Sequence, residues 1–588
     1  MMREIKVTYV PERNSFLVRC PFHANDLIQS APSKRWNKAA RGWLLPAMRL
    51  NCQFLYDKIK DFAEFDKESA DKIREVAKGI KKTVQTHEFP AHYQFKTEPL
   101  PFQYAGIKKL YGKRAMAFYM EMGLGKTKTT IDVVGGLVLE GKVNSLLVVA
   151  RNSLTLNWVD EFEKHYPGQY AIRVHENNKE AYAKWMWANR SVDLRVYVVS
   201  TEAMSQGGAI QFAENFLLAD TKCAMVMDES HDISNPKSIR SERIVSLARK
   251  AEYRIALTGT PIEQGPLNLY MQFEYLDPNI IGIGDYYAFR NRYAIMGGYK
   301  VNNRYMSVVG YQNLEELIST VDEYVYQVLK KDVLKELPDK IYEKRYVEMV
   351  PEQRKEYDRM RKNKSVKCVD GTETKTNNQL EVVLRLQQIA SGYTVVAEKI
   401  VSLKEVLECD EPEVPDTRYE AYSLFEDFNE SPKMQELLSI INDNKQVPTV
   451  IWCKRNFEIQ QIMGTLSDMN ISCAAIVGSV AKEERHRILE DFKSGEITHL
   501  VVNQQTGGTG LNMTTAQLMI YFSNSFSYRE RLQSEDRAHR IGQKNAVVYI
   551  DIVVKNSVDE LVLMSIEEKQ SVAEYLQDRF GETTAKWL

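Results

Sequence analysis

Short apolar runs occur along this chain in two series. The first series, between about 95 and 280, contains SLLVVA, VYVVS, CAMVMDES and YRIALTGT. The second series, after 430, contains TVIWC, SCAAIV, HLVVN, LMIYFS and VVYIDIV. Runs that are rich in β-branched residues and lack alternating polar positions are typical of strands buried on both faces of a parallel sheet. The pattern therefore predicts an α/β protein with two parallel-sheet lobes.

The segments outside the two series have a different pattern. Residues 1–65 begin with the alternating runs EIKVTYV and SFLVRC and close with the helix-like NCQFLYDKIKDFAEF, which predicts a small α+β module. Residues 66–94 are charged and predict a helical link between this module and lobe 1. Lobe 1 is predicted at 95–280, helical insertions and an inter-lobe linker at 281–430, and lobe 2 at 431–588. The acidic stretch ECDEPEVPDTRYEAYSLFEDFNE within the linker is predicted to be a loop.

Composition narrows the class of protein. The chain has 588 residues, of which 44% are hydrophobic and 27% charged, as in a soluble globular protein of about three or four structural units. A formal net charge of −1 argues against a basic coat over the whole surface but allows a local basic groove. Scattered cysteines without Cys-x-x-Cys spacing fit reduced thiols in the cytoplasm. No signal-peptide core and no run of roughly 18 apolar residues is present, which predicts a protein that is neither secreted nor inserted in a membrane.

The stretch EMGLGKT indicates a loop that binds phosphates. Gly123 and Gly125 would let backbone N–H groups approach the anion, Lys126 would reach the outer phosphates, and the hydroxyl of Thr127 would hold Mg²⁺. Met120 stands where the full consensus has its first glycine. The alternative interpretation is a helix start that carries glycines and a chance Gly-Lys-Thr.

A second acidic site is needed beside such a loop, because the metal must be held and the attacking water needs a base. The run CAMVMDESHD supplies it at the end of a predicted strand, where open α/β sheets bind ligands. Asp228 would orient Mg²⁺ through its hydration shell, and Glu229 would activate water. A surface turn is the alternative. Thr258 and Thr260 in LTGTPI would sense the nucleotide and couple the lobes.

The second lobe carries a pair of arginines in LQSEDRAHRIGQ. Arg537 and Arg540 lie three apart on a predicted helix and so would share one face. Such pairs are usually solvated. In a lobe whose partner binds a triphosphate, however, they would act as fingers that stabilise charge on the γ-phosphate, and hydrolysis would then depend on closure.

Together, LPFQYAG, EMGLGKT, DESH, LTGTPI, QTGGTGLN and QSEDRAHRIGQ resemble the motifs of Swi/Snf-type ATPases of helicase superfamily 2, in the correct order over about residues 98–570. The resemblance implies two RecA-like lobes that use ATP and Mg²⁺ to track along double-stranded DNA, usually without separating its strands, as a monomer. It implies that Gln103 reads the adenine edge and that Gly510 and Asn512 approach the nucleotide. It also implies nucleic-acid contacts by small polar groups, which touch phosphates without reading bases: Asn152, Ser153, Ser200, Thr201 and Thr506.

A finer resemblance is to the annealing-helicase subgroup, typified by the HepA-related protein (HARP). The segment LIQSAPSKRWNKAARGWLLP is similar to its accessory HARP repeat, with Trp36 and Trp43 in the aromatic places. Lys34 and Arg35 are among the basic residues interleaved with them, a composition suited to stacking bases and neutralising phosphates. This resemblance implies action on branched DNA, with a single-strand-binding protein as a further partner. The alternative is that both tryptophans belong to the core of the module.

Two other functions remain open. One is a strand-separating DNA or RNA helicase, and the other is a nucleic-acid-binding scaffold whose ATPase has decayed. Compact motors of this kind also resemble those encoded by large bacterial viruses, which would place the protein in the cytoplasm with the nucleoid. ATPase rates with duplex, single-stranded and forked DNA and with RNA would distinguish these functions.

Overall fold

The computed structural model describes residues 4–84, 87–205, 207–220, 222–262, 265–301, 304–367, 373–375, 379–399, 417–504, 511–540 and 542–570. The chain divides into two compact units, of which the first ends at Val333 and the second begins at Leu334. Among the described residues, no helix has both the length and the apolar character needed to cross a membrane.

The N-terminal module is a five-stranded sheet in the order β3-β4-β2-β1-β5. Its strands are β1 (Ile5–Val10), β2 (Ser15–Arg19), β3 (Arg35–Asn37), β4 (Gly42–Pro46) and β5 (Ala63–Phe65). Its helices are α1 (Asn25–Gln29), α2 (Arg49–Phe54) and α3 (Lys67–Val84). The predicted helix NCQFLYDKIKDFAEF is therefore shorter than expected, because its last residues form the strand β5 beside β1. The predicted helical link forms α3, which packs Val76 into the core of the module.

Lobe 1 is a seven-stranded parallel sheet in the order β14-β6-β11-β10-β7-β9-β8. Its strands are β6 (Ala115–Met120), β7 (Ser145–Ala150), β8 (Tyr170–Val174), β9 (Leu194–Ser200), β10 (Cys223–Asp228), β11 (Tyr253–Leu257) and β14 (Val325–Val328). Its helices are α4 (Pro101–Leu110), α5 (Lys126–Leu139), α6 (Thr155–His165), α7 (Lys179–Ala188), α8 (Gly207–Leu218), α9 (Ile239–Ala248) and α10 (Leu269–Leu276). The first apolar series is confirmed as parallel strands. The edge strand β14 extends the sheet beyond the predicted boundary at 280.

Residues 281–430 contain more β structure than predicted. The short helix α11 (Pro278–Ile281) stands at the start of this segment. The helices that follow are α12 (Tyr286–Tyr293), α13 (Leu314–Val321), α14 (Lys330–Val333), α15 (Pro351–Asn363) and α16 (Gln379–Ala390). Three antiparallel pairs join β12 (Ala294–Val301) to β13 (Arg304–Tyr311), β16 (Ser365–Lys367) to β17 (Glu373–Lys375), and β18 (Tyr393–Lys399) to β19 (Thr417–Ser423). Strand β19 lies in the acidic stretch predicted to be a loop, because TRYEAYS pairs along its whole length with β18.

Lobe 2 is a six-stranded parallel sheet in the order β15-β24-β23-β20-β22-β21. Its strands are β15 (Lys340–Val347), β20 (Thr449–Cys453), β21 (Cys473–Ile476), β22 (His499–Asn503), β23 (Leu518–Tyr521) and β24 (Val547–Val554). Its helices include α17 (Pro432–Asp443), α18 (Asn456–Asp468), α19 (Lys482–Ser494) and α20 (Tyr528–Glu535). The second apolar series supplies five of these strands, as predicted. The sixth, β15, comes from the segment predicted to be a linker.

Candidate nucleotide site and nucleic-acid surface

The phosphate-loop sequence connects the end of β6 to the start of α5. Gly123 and Gly125 adopt the left-handed conformation, with φ of 82° and 83°. Helix α5 begins at Lys126, so its first N–H groups face the loop and carry the positive end of the helix dipole. The ammonium of Lys126 donates a hydrogen bond to the carbonyl of Met120 at 3.1 Å. Backbone donors and one cation therefore line a loop that has the form expected for a polyphosphate.

Gln103 is fixed against this loop from α4. Its Nε2 donates to the carbonyl of Leu124 at 2.9 Å, and its Oε1 accepts from the N–H of Leu100 at 2.9 Å. A Cβ atom added at Gly125 would lie 2.3 Å from Gln103 Nε2. Gly125 is thus required both by its φ and by the close approach of Gln103. Recognition of adenine by Gln103 stays a prediction, since the structure shows its side chain bound to backbone groups.

The two acidic residues lie at the carboxyl end of β10. Trp158 Nε1 donates to Asp228 Oδ2 at 2.9 Å, and the N–H of Glu229 donates to Asp228 Oδ1 at 3.0 Å. Burial raises the pKa of Asp228, and the neighbouring charge of Glu229 raises it further. Burial also acts to raise the pKa of Glu229, but the positive charges of His231, Lys126 and Arg151 outweigh it and hold this pKa below its ordinary value. Glu229 is therefore ionised at neutral pH, as a general base requires.

A buried network around His231 joins three motifs. His231 Nδ1 lies 2.8 Å from the hydroxyl of Thr258 and 3.3 Å from Glu229 Oε2. On the other side of the ring, Nε2 lies 3.0 Å from Arg151 Nη2, and Arg151 binds Asp232 with two hydrogen bonds of 2.7 Å. Neither Arg151 nor Asp232 was predicted from the sequence to belong to the site. The sequence gives little indication of this ion pair, because its two residues are 81 positions apart and only the fold brings them together.

The predicted nucleic-acid contacts of lobe 1 follow β7 and β9. Asn152 and Ser153 are exposed, and the N–H of Asn152 donates to Glu202 Oε2 at 3.0 Å. The half-buried hydroxyl of Ser200 accepts from the N–H of Ala203 at 3.2 Å. Thr201 is only 1% exposed, and its N–H donates to the carbonyl of Ala150. Burial counts against a phosphate contact by Thr201, whereas the other three remain predictions. Thr506 lies outside the described residues.

The two arginines of lobe 2 do not lie on a helix, which corrects the prediction. Helix α20 ends at Glu535, and residues 536–540 form turns and bends. The hydroxyl of Tyr549 donates to the carbonyl of Glu535, and the N–H of Met513 donates to the carbonyl of Arg537 at 3.0 Å. The carbonyl of Glu535 also accepts from the N–H of His539 at 3.1 Å, so turn bonds and tertiary contacts meet where the helix ends. We call residues 536–540 the arginine segment.

The contact between Met513 and Arg537 also brings the predicted nucleotide residue Asn512 next to the arginine segment. Asn512 is exposed, and its Oδ1 accepts from the N–H of Thr514 at 3.3 Å. Arg537 is buried and Arg540 is half-buried. Gly510 lies outside the described residues, so its predicted approach to the nucleotide stays a prediction.

The two tryptophans of the N-terminal module differ in exposure. Trp36 on β3 is 49% exposed, while Trp43 on β4 packs against the module core and donates from Nε1 to Asn25 Oδ1 at 2.8 Å. The rings meet edge to face, with centroids 5.2 Å apart. Trp43 thus fits the alternative in which the tryptophans belong to the core of the module. Trp36 fits the alternative in which they form a surface that could stack bases. The basic side chains around them are exposed: Lys34, Arg35, Lys38 and Arg41.

Comparison with known protein families gives two matches along the chain. Residues 107–393 match the family described as SNF2-related domain, and residues 432–542 match the helicase conserved C-terminal domain. An ATP-dependent helicase of Mycoplasma pneumoniae is 26% identical to this chain over 486 residues, which are 80% of the chain and 41% of the relative.

The yeast (Saccharomyces cerevisiae) transcription regulatory protein SNF2 is 28% identical over 472 residues, 77% of this chain and 26% of that protein. The chain thus spans less than half the length of these two curated relatives. A solved SWI2/SNF2 ATPase core of Sulfolobus solfataricus in complex with dsDNA is 22% identical, with a TM-score of 0.37 and coverage of 85% of this chain and 97% of that one.

Proposed function

We propose that this chain is an SNF2-type ATPase that hydrolyses ATP and uses the energy to move along double-stranded DNA. The observation that carries the proposal is the order of strands in lobe 1. The phosphate loop, LTGTPI and DESH follow β6, β11 and β10, which are neighbours in a parallel sheet. Three motifs of nucleotide chemistry therefore share the carboxyl edge of one sheet, where such sheets bind their ligands.

The residues at this edge have distinct proposed roles. Gly123, Gly125 and Lys126 bind the phosphates, and Glu229 takes a proton from the attacking water. Asp228 and Thr127 offer the hard oxygen ligands that suit Mg²⁺, and Asp228 is already oriented by Trp158. When bound, Mg²⁺ would neutralise charge on the phosphates. Further proposed nucleotide contacts come from Gln103, Gly510 and Asn512.

Arg537 and Arg540 are proposed to stabilise the charge that develops on the γ-phosphate. Duplex DNA is proposed as the track, because Asn152 and Ser153 expose small polar groups that suit phosphates and carry no base readout. Glu202, which accepts from Asn152, would have to give way to a phosphate oxygen. A strand-separating helicase is the second candidate, since the Mycoplasma relative is named an ATP-dependent helicase.

One experiment distinguishes the two candidates. A duplex tracker should be activated by double-stranded DNA, should displace a triplex-forming third strand, and should fail to unwind a tailed duplex. Its activation should weaken steeply with salt, because each phosphate contact releases counterions. Efficient unwinding of a tailed duplex with little triplex displacement would favour the strand-separating helicase. The Glu229→Gln protein is the control for ATP dependence in both assays.

We further propose that the N-terminal module directs the motor to branched DNA, for fork remodelling or strand annealing. The exposed Trp36 supports this, since a stacked base is worth roughly 1–3 kcal/mol. The double substitution Lys34→Ala/Arg35→Ala should lower fork affinity and reduce the salt slope by about 2 without changing the melting temperature. Lys58→Ala/Lys60→Ala removes the same charge elsewhere on the module and is the matched control. Equal fork affinity and salt slope in both double variants would contradict the proposal.

A further inference from the structure

The chain passes from one unit to the other through a short segment, residues 330–340, which we call the connector. Unit 1 ends within it, at Val333, and unit 2 begins at Leu334. Each end of the connector is bound to a segment to which the proposed function assigns phosphate chemistry. The contacts at the first end lie within unit 1, and the contacts at the second end lie within unit 2.

The first end is bound to the entrance of the phosphate loop. Glu121 directly follows β6, and its N–H donates to the carbonyl of Val328 at 2.9 Å. Its Oε2 accepts from the backbone N–H of Lys330 at 2.7 Å, and its Oε1 lies 3.6 Å from Lys330 Nζ. The side chain of Lys330 is 3% exposed. The start of the connector is therefore held by a residue of the sequence EMGLGKT.

The second end is bound to the arginine segment. Pro338 presents its carbonyl to His539 Nε2 at 2.8 Å. Lys340 Nζ lies 2.9 Å from Glu535 Oε2 and 3.8 Å from Asp536 Oδ1. These partners stand on either side of Arg537. The connector thus contacts the arginine segment at both Asp536 and His539.

A buried ion network supports the second end from within lobe 2. Glu535 Oε1 accepts from Arg531 Nε at 2.7 Å, and Oε2 accepts from the hydroxyl of Tyr342 at 2.7 Å. Arg531 also binds Asp551 on β24 and covers the ring of Tyr521 at 3.5 Å. Burial acts to raise the pKa of Glu535, but Lys340 and Arg531 outweigh it and lower this pKa to about 2. Glu535, the last residue of α20, is thus ionised at neutral pH and binds both Lys340 of the connector and Arg531 of its own helix.

We propose that Lys340 and Glu535 are positioning residues that fix the arginine segment for transition-state stabilisation. The inference rests on the proposed function. Its physical basis is that residues 536–540 lie beyond the regular helix and are held by a few turn bonds, so the side-chain bonds of Lys340 and Glu535 add to what fixes them. A displacement of about 1 Å in a catalytic group can cost on the order of 100-fold in rate.

The test compares Lys340→Met with Lys340→Arg and with Lys433→Met in the full chain. Lys433 is the matched control, because it is a buried lysine of lobe 2 that binds Asp559 at 2.7 Å and the carbonyl of Phe522 at 2.9 Å. Lys340→Met should lower kcat on the order of 10- to 100-fold with KM for ATP unchanged, and should speed hydrogen exchange of residues 536–540. Lys340→Arg should restore both. Lys433→Met should lower the melting temperature without either change.

A milder variant covers the case in which Lys340→Met does not fold. Tyr342→Phe removes one hydrogen bond to Glu535 and should raise exchange of residues 536–540 by a smaller amount than Lys340→Met. The inference is overturned if folded Lys340→Met, or Tyr342→Phe in its place, leaves both kcat and segment exchange at wild-type values. It is also overturned if Lys433→Met reproduces both effects.

Failure of the proposed function gives a different result. If Arg537→Ala and Arg540→Ala keep wild-type turnover, the finger roles are wrong whatever the Lys340 variants do. Hydrogen exchange then still measures whether Lys340 positions the arginine segment, because that measurement does not depend on hydrolysis.

Discussion

The nucleotide edge of lobe 1 and the arginine segment of lobe 2 are held in place by different means. In lobe 1, the chemistry-bearing residues directly follow central strands of a parallel sheet, so backbone ladders set their positions. In lobe 2, Arg537 and Arg540 lie beyond the end of α20, next to the buried ion pair of Lys340 and Glu535 that we propose positions them. Residues placed by a sheet can be located from apolar runs alone. Residues that ion pairs hold in place cannot be located from the sequence unless their distant partners are known.

The largest expected effect concerns the arginine segment. Arg537→Ala and Arg540→Ala should each lower DNA-stimulated turnover by about 10³- to 10⁵-fold, because a finger stabilises charge that exists only in the transition state. ATP affinity should stay close to that of the wild type. Steady-state ATPase assays and fluorescent-nucleotide titration measure the two quantities. A variant that keeps more than about a tenth of the activity would remove the role assigned to that arginine.

The next effect separates two residues of the nucleotide edge of lobe 1. Lys126→Ala should weaken ATP binding by on the order of 10- to 100-fold, since a hydrogen bond to a charged group is worth about 1.5–3 kcal/mol. Glu229→Gln keeps the shape of the side chain, so it should bind ATP but fail to hydrolyse it. Titration with a fluorescent nucleotide and single-turnover hydrolysis distinguish these outcomes. Equal ATP affinity in wild type and Lys126→Ala would argue against a phosphate loop.

A smaller effect tests how closely Gln103 and the loop are packed. Gly125→Ala should reduce ATP affinity about tenfold, because a left-handed alanine costs roughly 1–2 kcal/mol and its Cβ would also displace Gln103. The double variant Gly125→Ala/Gln103→Ala relieves the contact but not the backbone strain. The double variant should therefore bind ATP more weakly than Gln103→Ala. The difference between these two should, however, be smaller than the difference between Gly125→Ala and the wild type. Full recovery would show that the contact alone matters.

The smallest effect compares the acid stability of the two lobes. In lobe 2, burial lowers the pKa of His499 to about 4, so the unfolded state binds its proton first and stability falls as pH drops below 6.5. Glu535 acts in the same direction nearer pH 4, since its pKa is lowered to about 2. The His499 effect should reach about 1 kcal/mol at pH 5.5.

Lobe 1 contains opposing groups. Burial and nearby lysines lower the pKa of His165 to about 4, but burial raises the pKa of Asp132 to about 6 and that of Glu274 to about 7. Carboxyl groups with raised pKa values stabilise the fold more as pH falls. Lobe 2 should therefore lose stability first between pH 7 and 5. Urea unfolding of single-tryptophan variants that retain Trp158 or Trp452 would measure each lobe, and His499→Gln should reduce the difference.

Much of the fold followed from the apolar runs, and the failures have identifiable causes. Strands β7, β9, β10 and β11 and strands β20 to β24 lie in the segments that the two series indicated, whereas β6 and β8 were not among those runs. The edge strand β15 was assigned to a linker because KIYEKRYV has charges along it and most of its side chains stay accessible. Such charges are common on edge strands, where they discourage pairing with other chains.

The candidate site was predictable in part. Lys126, Asp228 and Glu229 were singled out because short motifs carry their chemistry within a few residues. The bond between Arg151 and Asp232 could not be read from the sequence, since it depends on the lateral order of β7 and β10. The end of α20 was missed for a related reason. Just beyond it, the carbonyl of Arg537 is bound by the N–H of Met513, a residue outside the helix.

The hydrogen bond from Trp158 to Asp228 also gives the protein an internal optical reporter. The indole is fully buried, and its N–H points at the carboxylate proposed to orient the metal. Indole emission responds to charge placed next to the ring, so a cation arriving at Asp228 should change both the wavelength and the intensity of Trp158 fluorescence. The difference spectrum between wild type and Trp158→Phe would isolate this signal. Occupancy of the site could then be followed in real time without a labelled nucleotide.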